Sequence, residues 1–114
     1  MTNTTNPNLF RLIRDLRKLS NQKKVNLWRR IAEDLERSTR IRREVNIERI
    51  NRVTKDKDVI VVPGKVLGYG ELDHNVKVAA FRFSEEAKKK LKNTITIQEL
   101  MKENSKGSKV RIIG

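Results

Sequence analysis

The stretch that most constrains the fold of this chain is residues 59–70, which read VIVVPGKVLGYG. The β-branched residues at its start predict a buried strand, and Pro63-Gly64 predicts the turn that ends this strand. Glycine permits a positive φ or a close approach of the backbone to a neighbour. The candidates for such turn geometry are Pro63, Gly64, Gly68 and Gly70. A segment of this kind can present main-chain amides and the Lys65 ammonium to a negatively charged group.

Positive charge dominates the composition, with 27 Lys and Arg residues against 14 Asp and Glu residues and a formal net charge of +13 in 114 residues. This length fits one domain. Apolar residues make up 36% of the chain, so its core will be small and mostly aliphatic. The excess charge indicates a polyanionic partner. Because aromatic residues are only 4%, phosphate contacts and shape recognition of folded RNA are expected rather than extensive base stacking.

Several functional classes are disfavoured by what the sequence lacks. No apolar run approaches the ~18 residues that a membrane span needs, and residues 1–7 do not resemble a signal peptide. The chain has no cysteine, which excludes disulfides, thiolate metal sites and cysteine nucleophiles. His74 is the only histidine, and a role in a turn is expected for it. We therefore expect a cytosolic protein with no cofactor and no membrane partner.

Helical periodicity characterises the first half of the chain, and strand patterns appear in the second half. Helices are predicted over residues 8–20 and 27–35, with a polar link at 21–24. A short third helix is predicted near 45–53, with Asn46 as a candidate N-cap. Strands are predicted at 59–62, 76–83 and 108–113. Ser84 and Thr96 are predicted to cap two intervening short helices, with Glu99 completing a capping box.

This order predicts one small α/β domain with N-terminal helices followed by short strands that alternate with short helices. The domain is expected to span residues 8–114, after a polar arm at residues 1–7. Neither half of the chain has enough apolar residues to be stable alone.

Arginine is concentrated between residues 37 and 43, where guanidinium groups suit bidentate contacts with phosphate. The alternative interpretation of such a run is a solvated surface, and the same two interpretations apply to the lysines at residues 88–92. The candidate RNA-binding residues are Lys23, Lys24, Arg29, Arg30, Arg37, Arg40, Arg42, Arg43, Lys65, Lys109 and Arg111.

Two other functions are open to a chain of this composition. The glycine segment is a weak candidate for a nucleotide-binding loop, because it matches neither the P-loop order nor a Gly-x-Gly-x-x-Gly that opens a helix. A small enzyme acting on a phosphorylated substrate would also need a nucleophile or an acid–base pair near Lys65. A free-standing nucleic-acid binder is the second alternative.

Several segments, taken in order, form a recognisable pattern. The most specific is VVPGKVLG at residues 61–68, followed by Gly70. The pattern also includes NPNL at residues 6–9, the arginine run at residues 37–43, and GSKVRI at residues 107–112. Over essentially its whole length, the chain resembles the large-subunit ribosomal protein eighteen family (L18e type) of archaea and eukaryotes. That family is related to the C-terminal domain of bacterial large-subunit ribosomal protein fifteen.

The resemblance implies an α/β fold with an N-terminal helical part and a structural role in the cytoplasmic large ribosomal subunit. Ribosomal RNA and neighbouring ribosomal proteins are its implied partners, with no catalysis, cofactor or small-molecule substrate. It also implies that Lys65 and the arginines at residues 37–43 face RNA.

Overall fold

A computed structural model of the chain describes residues 7–36 and 43–113. For Arg43 the description covers the backbone alone. The predicted RNA-binding residues Arg37, Arg40 and Arg42 lie outside the described residues. The elements follow in the order α1 (Pro7–Lys23), α2 (Asn26–Leu35), β1 (Arg43–Asn46), α3 (Ile47–Val53), β2 (Asp58–Leu67), β3 (Val76–Phe83), α4 (Glu85–Lys90), β4 (Thr94–Thr96), α5 (Ile97–Glu103) and β5 (Val110–Ile112).

The sheet is built around β2, and all of its strand pairs are parallel. One edge of β2 pairs with β3, which in turn pairs with β4. The other edge of β2 is shared by two short strands, β5 beside Val59–Val61 and β1 beside Gly64–Leu67. Parallel neighbours require crossover connections. Helices supply those from β1 to β2 and from β3 to β4, whereas residues 68–75 join β2 to β3 without a helix. The predicted α/β class is confirmed.

Helices cover both faces of the sheet. Alternate side chains of a strand point to opposite faces, so each strand contributes apolar side chains to both layers of helices. Ile60 and Val78 lie in a buried cluster with residues of α3 and α4. Val61 and Ala79 lie in a second cluster with residues of α1, α2 and α5. The continuous apolar run at the start of β2 is therefore explained by burial on both faces.

The helical hairpin α1–α2 packs its apolar stripe on the second of these clusters, which includes the completely buried Trp28. The Trp28 indole Nε1 donates a hydrogen bond to the Ser105 carbonyl at 2.7 Å, which ties α2 to the turn after α5. Helix α1 continues to Lys23, so the predicted polar link is wrong for residues 21–23. The helix ends where Lys24 adopts a φ of 55°.

The predicted caps of the short helices are confirmed in two cases. Ser84 Oγ accepts a hydrogen bond from the Ala87 amide at 3.1 Å. Thr96 and Glu99 exchange the two hydrogen bonds of a capping box, at 3.1 and 2.9 Å. Asn46 lies at the N-cap position of α3 but makes no side-chain capping bond.

The predicted turn at Pro63-Gly64 is wrong, because β2 continues through both residues to Leu67. Val62 is the register partner of Ala80, and Lys65 is the partner of Arg82, so β2 carries one additional residue in this interval. Such an insertion is a β-bulge. Proline supplies no ladder N–H, and Pro63 falls between the two segments of β2 that pair with β5 and β1.

Two further differences concern short segments. Val45 and Asn46 belong to β1 rather than to the start of a helix, and residues 94–96 form the unpredicted strand β4. The strand predicted at residues 76–83 has the bounds that were expected. The proposed boundary between an arm at residues 1–7 and the domain stays a prediction, although Pro7 already belongs to α1.

Candidate nucleic-acid interface

Two positively charged side chains are neighbours at the carboxyl end of the sheet. Lys65 of β2 and Arg82 of β3 are register partners, and both are exposed. Their strands are fixed by pairing on both sides, because β2 also pairs with β1 and β3 also pairs with β4. The bulge at Pro63-Gly64 sets this register, since it shifts Lys65 opposite Arg82.

The Arg82 guanidinium also contacts an aromatic ring. Its Cζ lies 5.4 Å from the centroid of the half-buried Phe81 ring, a distance within the range of a cation–π interaction. The ring supports the guanidinium from one side and leaves its N–H groups available for a second partner. Those N–H groups suit a planar, bidentate contact with phosphate.

Two surface depressions beside Lys65 and Arg82 are lined by further positively charged side chains. Lys65, Arg82 and Lys88 line one depression, and Arg82 also lines a second one with Arg11. Phe81 and Thr96 line both, so the depressions adjoin. We call the surface defined by Arg11, Lys65, Arg82 and Lys88 the carboxyl-edge groove.

The carboxyl-edge groove is strongly electropositive. Among the residues that line it, Asp15 is the only acid, and its carboxylate lies 3.6 Å from Arg14 Nε. Within the described part of the chain, none of the four groove cations forms an ion pair with a carboxylate. The groove therefore offers several donors that no described carboxylate pairs with, and these donors suit anionic oxygen atoms.

The described members of the predicted RNA-binding set lie at several places on the surface, and RNA binding by them stays a prediction. Of the described ones, Lys65 lies in the carboxyl-edge groove, and the backbone of Arg43 lies beside Gly64 in register. The others lie elsewhere on the exposed surface, on α1, α2, the α1–α2 connection, and in or next to β5. These residues are Lys23, Lys24, Arg29, Arg30, Lys109 and Arg111.

Among the described side chains of the predicted set, Arg111 is distinguished by an internal partner for its guanidinium. Arg111 Nη2 donates a hydrogen bond to the Val53 carbonyl at 2.7 Å, which joins β5 to the end of α3. This residue therefore has a structural contact, and RNA binding by it stays a prediction.

The sequence did not single out Arg11 or Arg82 of the groove, and it left Lys88 open between an RNA contact and a solvated surface. The signal that identifies Arg82 is its place at the carboxyl end of a parallel strand, where ligands commonly bind in open α/β sheets. Using this signal requires the register between β2 and β3, which the bulge conceals.

The glycine loop after β2 is shaped by close packing against α3 and α4. A Cβ atom on Gly68 would lie 2.5 Å from Glu86 Cβ, and one on Gly70 would lie 2.6 Å from Glu48 Cβ. Gly70 also has a φ of +99°. Neither Gly64 nor Gly68 has a positive φ, so the flexible geometry considered for all three glycines is needed only at Gly70.

Lys90 closes this loop from the side of α4. Its Nζ donates hydrogen bonds to the carbonyls of Gly68 and Gly70, both at 2.9 Å, and lies 3.3 Å from Glu71 Oε1. The Glu48 amide donates to the Tyr69 carbonyl at 3.0 Å. The loop is thus held by packing and by carbonyl contacts, an arrangement that serves structure rather than nucleotide binding.

His74 lies in the turn before β3, as the sequence predicted. Its Nδ1 is 2.8 Å from Asp73 Oδ1, and its Nε2 is 2.7 Å from Thr54 Oγ1. The hydrogen bond from His74 is the main cause that lowers the pKa of Asp73 below its ordinary value, and a hydrogen bond with Asn51 lowers it further. These contacts connect the turn to the end of α3.

Two negative findings apply to residues 7–36 and 43–113. None of the helices there is long and apolar enough to cross a membrane. His, Asp and Glu side chains in the same ranges do not gather into a group of three or more that is suited to a metal ion.

Comparison with known proteins gives a consistent result. Residues 13–94 match the family described as ribosomal proteins 50S-L15, 50S-L18e and 60S-L27A. A protein of Methanosphaerula palustris named large ribosomal subunit protein eL18 is 48% identical over 113 residues, which cover 96% of this chain and 93% of the relative.

Proteins with the same name from two other archaea are also similar over nearly their full lengths. The one from Methanothermobacter thermautotrophicus is 44% identical over 113 residues, with 96% of this chain and 93% of the relative covered. The one from Methanococcus maripaludis is 43% identical over 114 residues, with 96% and 95% covered. The resemblance inferred from the sequence is confirmed: this chain belongs to the ribosomal protein family that includes 50S-L15, 50S-L18e and 60S-L27A.

Proposed function

We propose that this chain is a structural constituent of the large ribosomal subunit in the cytoplasm. In this role it binds folded ribosomal RNA, contacts neighbouring ribosomal proteins and catalyses no reaction. Family membership and the names of the archaeal relatives support this role. The observation that favours RNA as the direct partner is the juxtaposition of Lys65 and Arg82, two exposed cations without a carboxylate partner in the described residues.

The physical reason is electrostatic. Like charges opposite each other on neighbouring strands destabilise a protein in isolation. A phosphate group placed between Lys65 and Arg82 converts that repulsion into two attractive contacts. Each phosphate neutralised also releases counterions from the RNA, so binding through the carboxyl-edge groove weakens as the salt concentration rises.

The arginines at residues 37–43 are included in the proposal as a second contribution to the same interface. Arg43 enters β1 beside Gly64, one residue before Lys65 in β2. The last residue of the arginine run therefore lies next to the bulge that positions Lys65. Gly68 and Gly70 contribute indirectly, because their close packing against α3 and α4 fixes the backbone that follows β2.

Sedimentation of a cell lysate tests this function. We expect the protein to migrate with the large subunit at one copy per particle, at moderate and at raised salt, when fractions of a sucrose gradient are quantified by mass spectrometry. Migration as a free protein at moderate salt would contradict the proposal. Migration with genomic DNA would instead support the alternative of a free-standing nucleic-acid binder.

A further inference from the structure

Within the described residues, every residue with a positive φ other than glycine is a lysine. The three are Lys24 with a φ of 55°, Lys57 with a φ of 71° and Lys109 with a φ of 59°. The left-handed region is unfavourable for residues with a Cβ atom, and glycine or asparagine occupies it more readily. A turn that only reverses the chain direction gains nothing from lysine at such a position.

The three lysines lie at the same end of the molecule. Lys57 directly precedes β2, Lys109 directly precedes β5, and the parallel pairing of Val59 with Val110 places both residues at the amino edge of the sheet. Lys24 lies between α1 and α2, next to Val25.

The packing of Gly107 connects the turn at Lys24 to the amino edge of the sheet. A Cβ atom on Gly107 would lie 2.8 Å from Leu27 Cδ2 and 3.4 Å from Val25 Cγ1. The segment before β5 therefore packs against the start of α2, which brings the Lys24 turn to the amino edge as well. We call Lys24, Lys57 and Lys109 the amino-edge lysines.

The ammonium groups of the amino-edge lysines are available for an external partner. All three residues are exposed, and none of them forms an ion pair with a described carboxylate. The two acids beside Lys57 are engaged in the turn, since Asp58 accepts the Lys55 amide at 2.8 Å and Asp56 accepts the Asn75 amide at 2.9 Å.

Another acid close to this edge is also engaged. Glu103 Oε2, at the end of α5, accepts a hydrogen bond from Lys77 Nζ at 2.7 Å. Asp56 and Asp58 keep their negative charges in these bonds, and only Glu103 is paired with a cation. Among the described residues the edge stays positive because its lysines outnumber these three acids, and they include Lys55, Lys77 and Lys106 besides the amino-edge lysines.

The amino-edge lysines are too far from the carboxyl-edge groove to act on the same phosphates. Lys57 directly precedes β2 and Lys65 lies near the other end of this strand, eight residues further along the sequence. At ~3.3 Å per residue this spacing amounts to roughly 26 Å, which exceeds the ~8 Å Debye length at physiological ionic strength about threefold.

We propose that the amino-edge lysines form a second RNA-phosphate contact, so that the protein bridges two segments of ribosomal RNA at opposite edges of its sheet. This inference rests on the proposed function and adds the geometry of binding to it. The left-handed backbone turns each lysine outward at the cost of local strain, and contact with phosphate offsets that strain in the complex.

The test combines variants of the full chain with large-subunit ribosomal RNA of its own organism, transcribed in vitro. The glycine variant K24G/K57G/K109G removes three charges and relieves the backbone strain at the three positions. The arginine variant K24R/K57R/K109R retains the charges at the same positions. The variant K65A/R82A removes charge from the carboxyl-edge groove. Hydroxyl-radical footprinting, affinity measured against salt concentration, and thermal melting are the readouts.

We expect wild-type protein to protect two separate RNA regions. The glycine variant should lose one region, show a melting temperature equal to or above that of wild type, and have a shallower salt dependence by about two to three units of slope. The K65A/R82A variant should lose the other region, and the arginine variant should behave like wild type. An asparagine variant, K24N/K57N/K109N, should lose the same region as the glycine variant.

Three outcomes would each contradict a different part of the proposal. Unchanged protection and affinity in the glycine and asparagine variants would overturn the second contact alone. Loss of the same region in the glycine variant and in K65A/R82A would overturn the bridging geometry. Absence of any protection by wild-type protein would overturn the proposed RNA binding itself.

Discussion

Lys65 and Arg82 are register partners on adjacent parallel strands, which places two exposed cations next to each other where the strands end. The bulge at Pro63-Gly64 produces this pairing, because without the additional residue of β2 the partner of Arg82 would be Gly64. A local irregularity in one strand therefore determines the charge distribution of the proposed RNA-binding surface.

Removing this pair is expected to weaken RNA binding without weakening the fold. The double variant Lys65→Ala/Arg82→Ala loses two phosphate contacts, so the slope of log affinity against log salt should become shallower by about 1.4–1.8. Its free energy of unfolding should be unchanged or slightly higher, because a like-charge repulsion is removed. Fluorescence anisotropy with ribosomal RNA at several salt concentrations, together with urea unfolding, measures both quantities.

A suitable control for this variant is Arg52→Ala. Arg52 Nη1 lies 3.7 Å from Glu48 Oε1, on α3 and outside the groove. Its removal changes the net charge but should leave most of the RNA affinity intact. If the double variant and the control had the same small effect, the groove would have no special role.

The glycine loop provides a test of stability. In Gly70→Ala the new Cβ would meet the backbone and side chain of Glu48 at 2.6–2.8 Å, at a φ of +99°. Backbone strain and overpacking together should lower the free energy of unfolding by about 2–4 kcal/mol. Urea unfolding measures this difference.

Gly107→Ala is the matched comparison for that substitution. Gly107 has a φ of +65°, but its nearest neighbour is the flexible end of the Leu27 side chain at 2.8 Å. Strain alone should cost about 1–2 kcal/mol here. Equal losses at both positions would show that the contact between Gly70 and Glu48 does not contribute.

Lys90 should contribute more to stability than its neighbour Lys89. Lys90→Met removes hydrogen bonds to the carbonyls of Gly68 and Gly70, and about 1–3 kcal/mol should be lost because these partly buried acceptors become unsatisfied. Lys89 is exposed, so Lys89→Met should change stability by less than ~0.5 kcal/mol. Denaturant unfolding compares the two variants.

Hydrogen exchange adds a local readout for the same pair of variants. The Glu48 amide donates to the Tyr69 carbonyl within the loop that Lys90 supports. Its exchange should therefore accelerate in Lys90→Met and not in Lys89→Met. Identical exchange in both variants would be evidence that the loop holds its conformation without Lys90.

The capping box predicts a dependence of stability on pH. Hydrogen bonds from the Thr96 backbone and side chain are the main causes that lower the pKa of Glu99 below its ordinary value of 4.5. A carboxyl group whose pKa is lowered by folding stabilises the native state above its unfolded pKa, and this contribution disappears as the pH falls through the folded value. The melting temperature should therefore decrease as the pH falls below 4.5.

Glu99→Gln isolates this contribution, because glutamine can keep the capping bond but does not titrate. The decrease in melting temperature over the acidic range should be smaller in this variant than in wild type. Parallel pH profiles for the two proteins would mean that the Glu99 carboxylate adds nothing to helix α5 beyond what an amide supplies.

The sequence was most informative where local patterns were strong. The strand at residues 76–83 contains four residues of high β-propensity, Val76, Val78, Phe81 and Phe83, and the Thr96–Glu99 capping box has a local hydrogen-bond signature. By contrast, β1 and β4 have four and three residues and exist because a neighbouring strand supplies their partners. Such tertiary pairing leaves little local signal.

The candidate site was predictable only in part for a similar reason. Lys65 could be selected from the glycine-punctuated segment that contains it. Arg82 could not, because its relation to Lys65 depends on the bulge, and Pro-Gly is a stronger local signal for a turn than for a continuing strand. Arg11 reaches the groove only through the packing of α1 against the sheet.

Cross-linking within intact ribosomes tests whether the carboxyl-edge groove contacts RNA. Large subunits purified from cells would be irradiated with ultraviolet light, and the peptides of this chain that carry nucleotide adducts would be identified by mass spectrometry. We expect adducts on the peptides that contain Lys65 and Arg82 at the carboxyl-edge groove. Adducts confined to other surfaces, with these peptides recovered unmodified, would contradict this expectation.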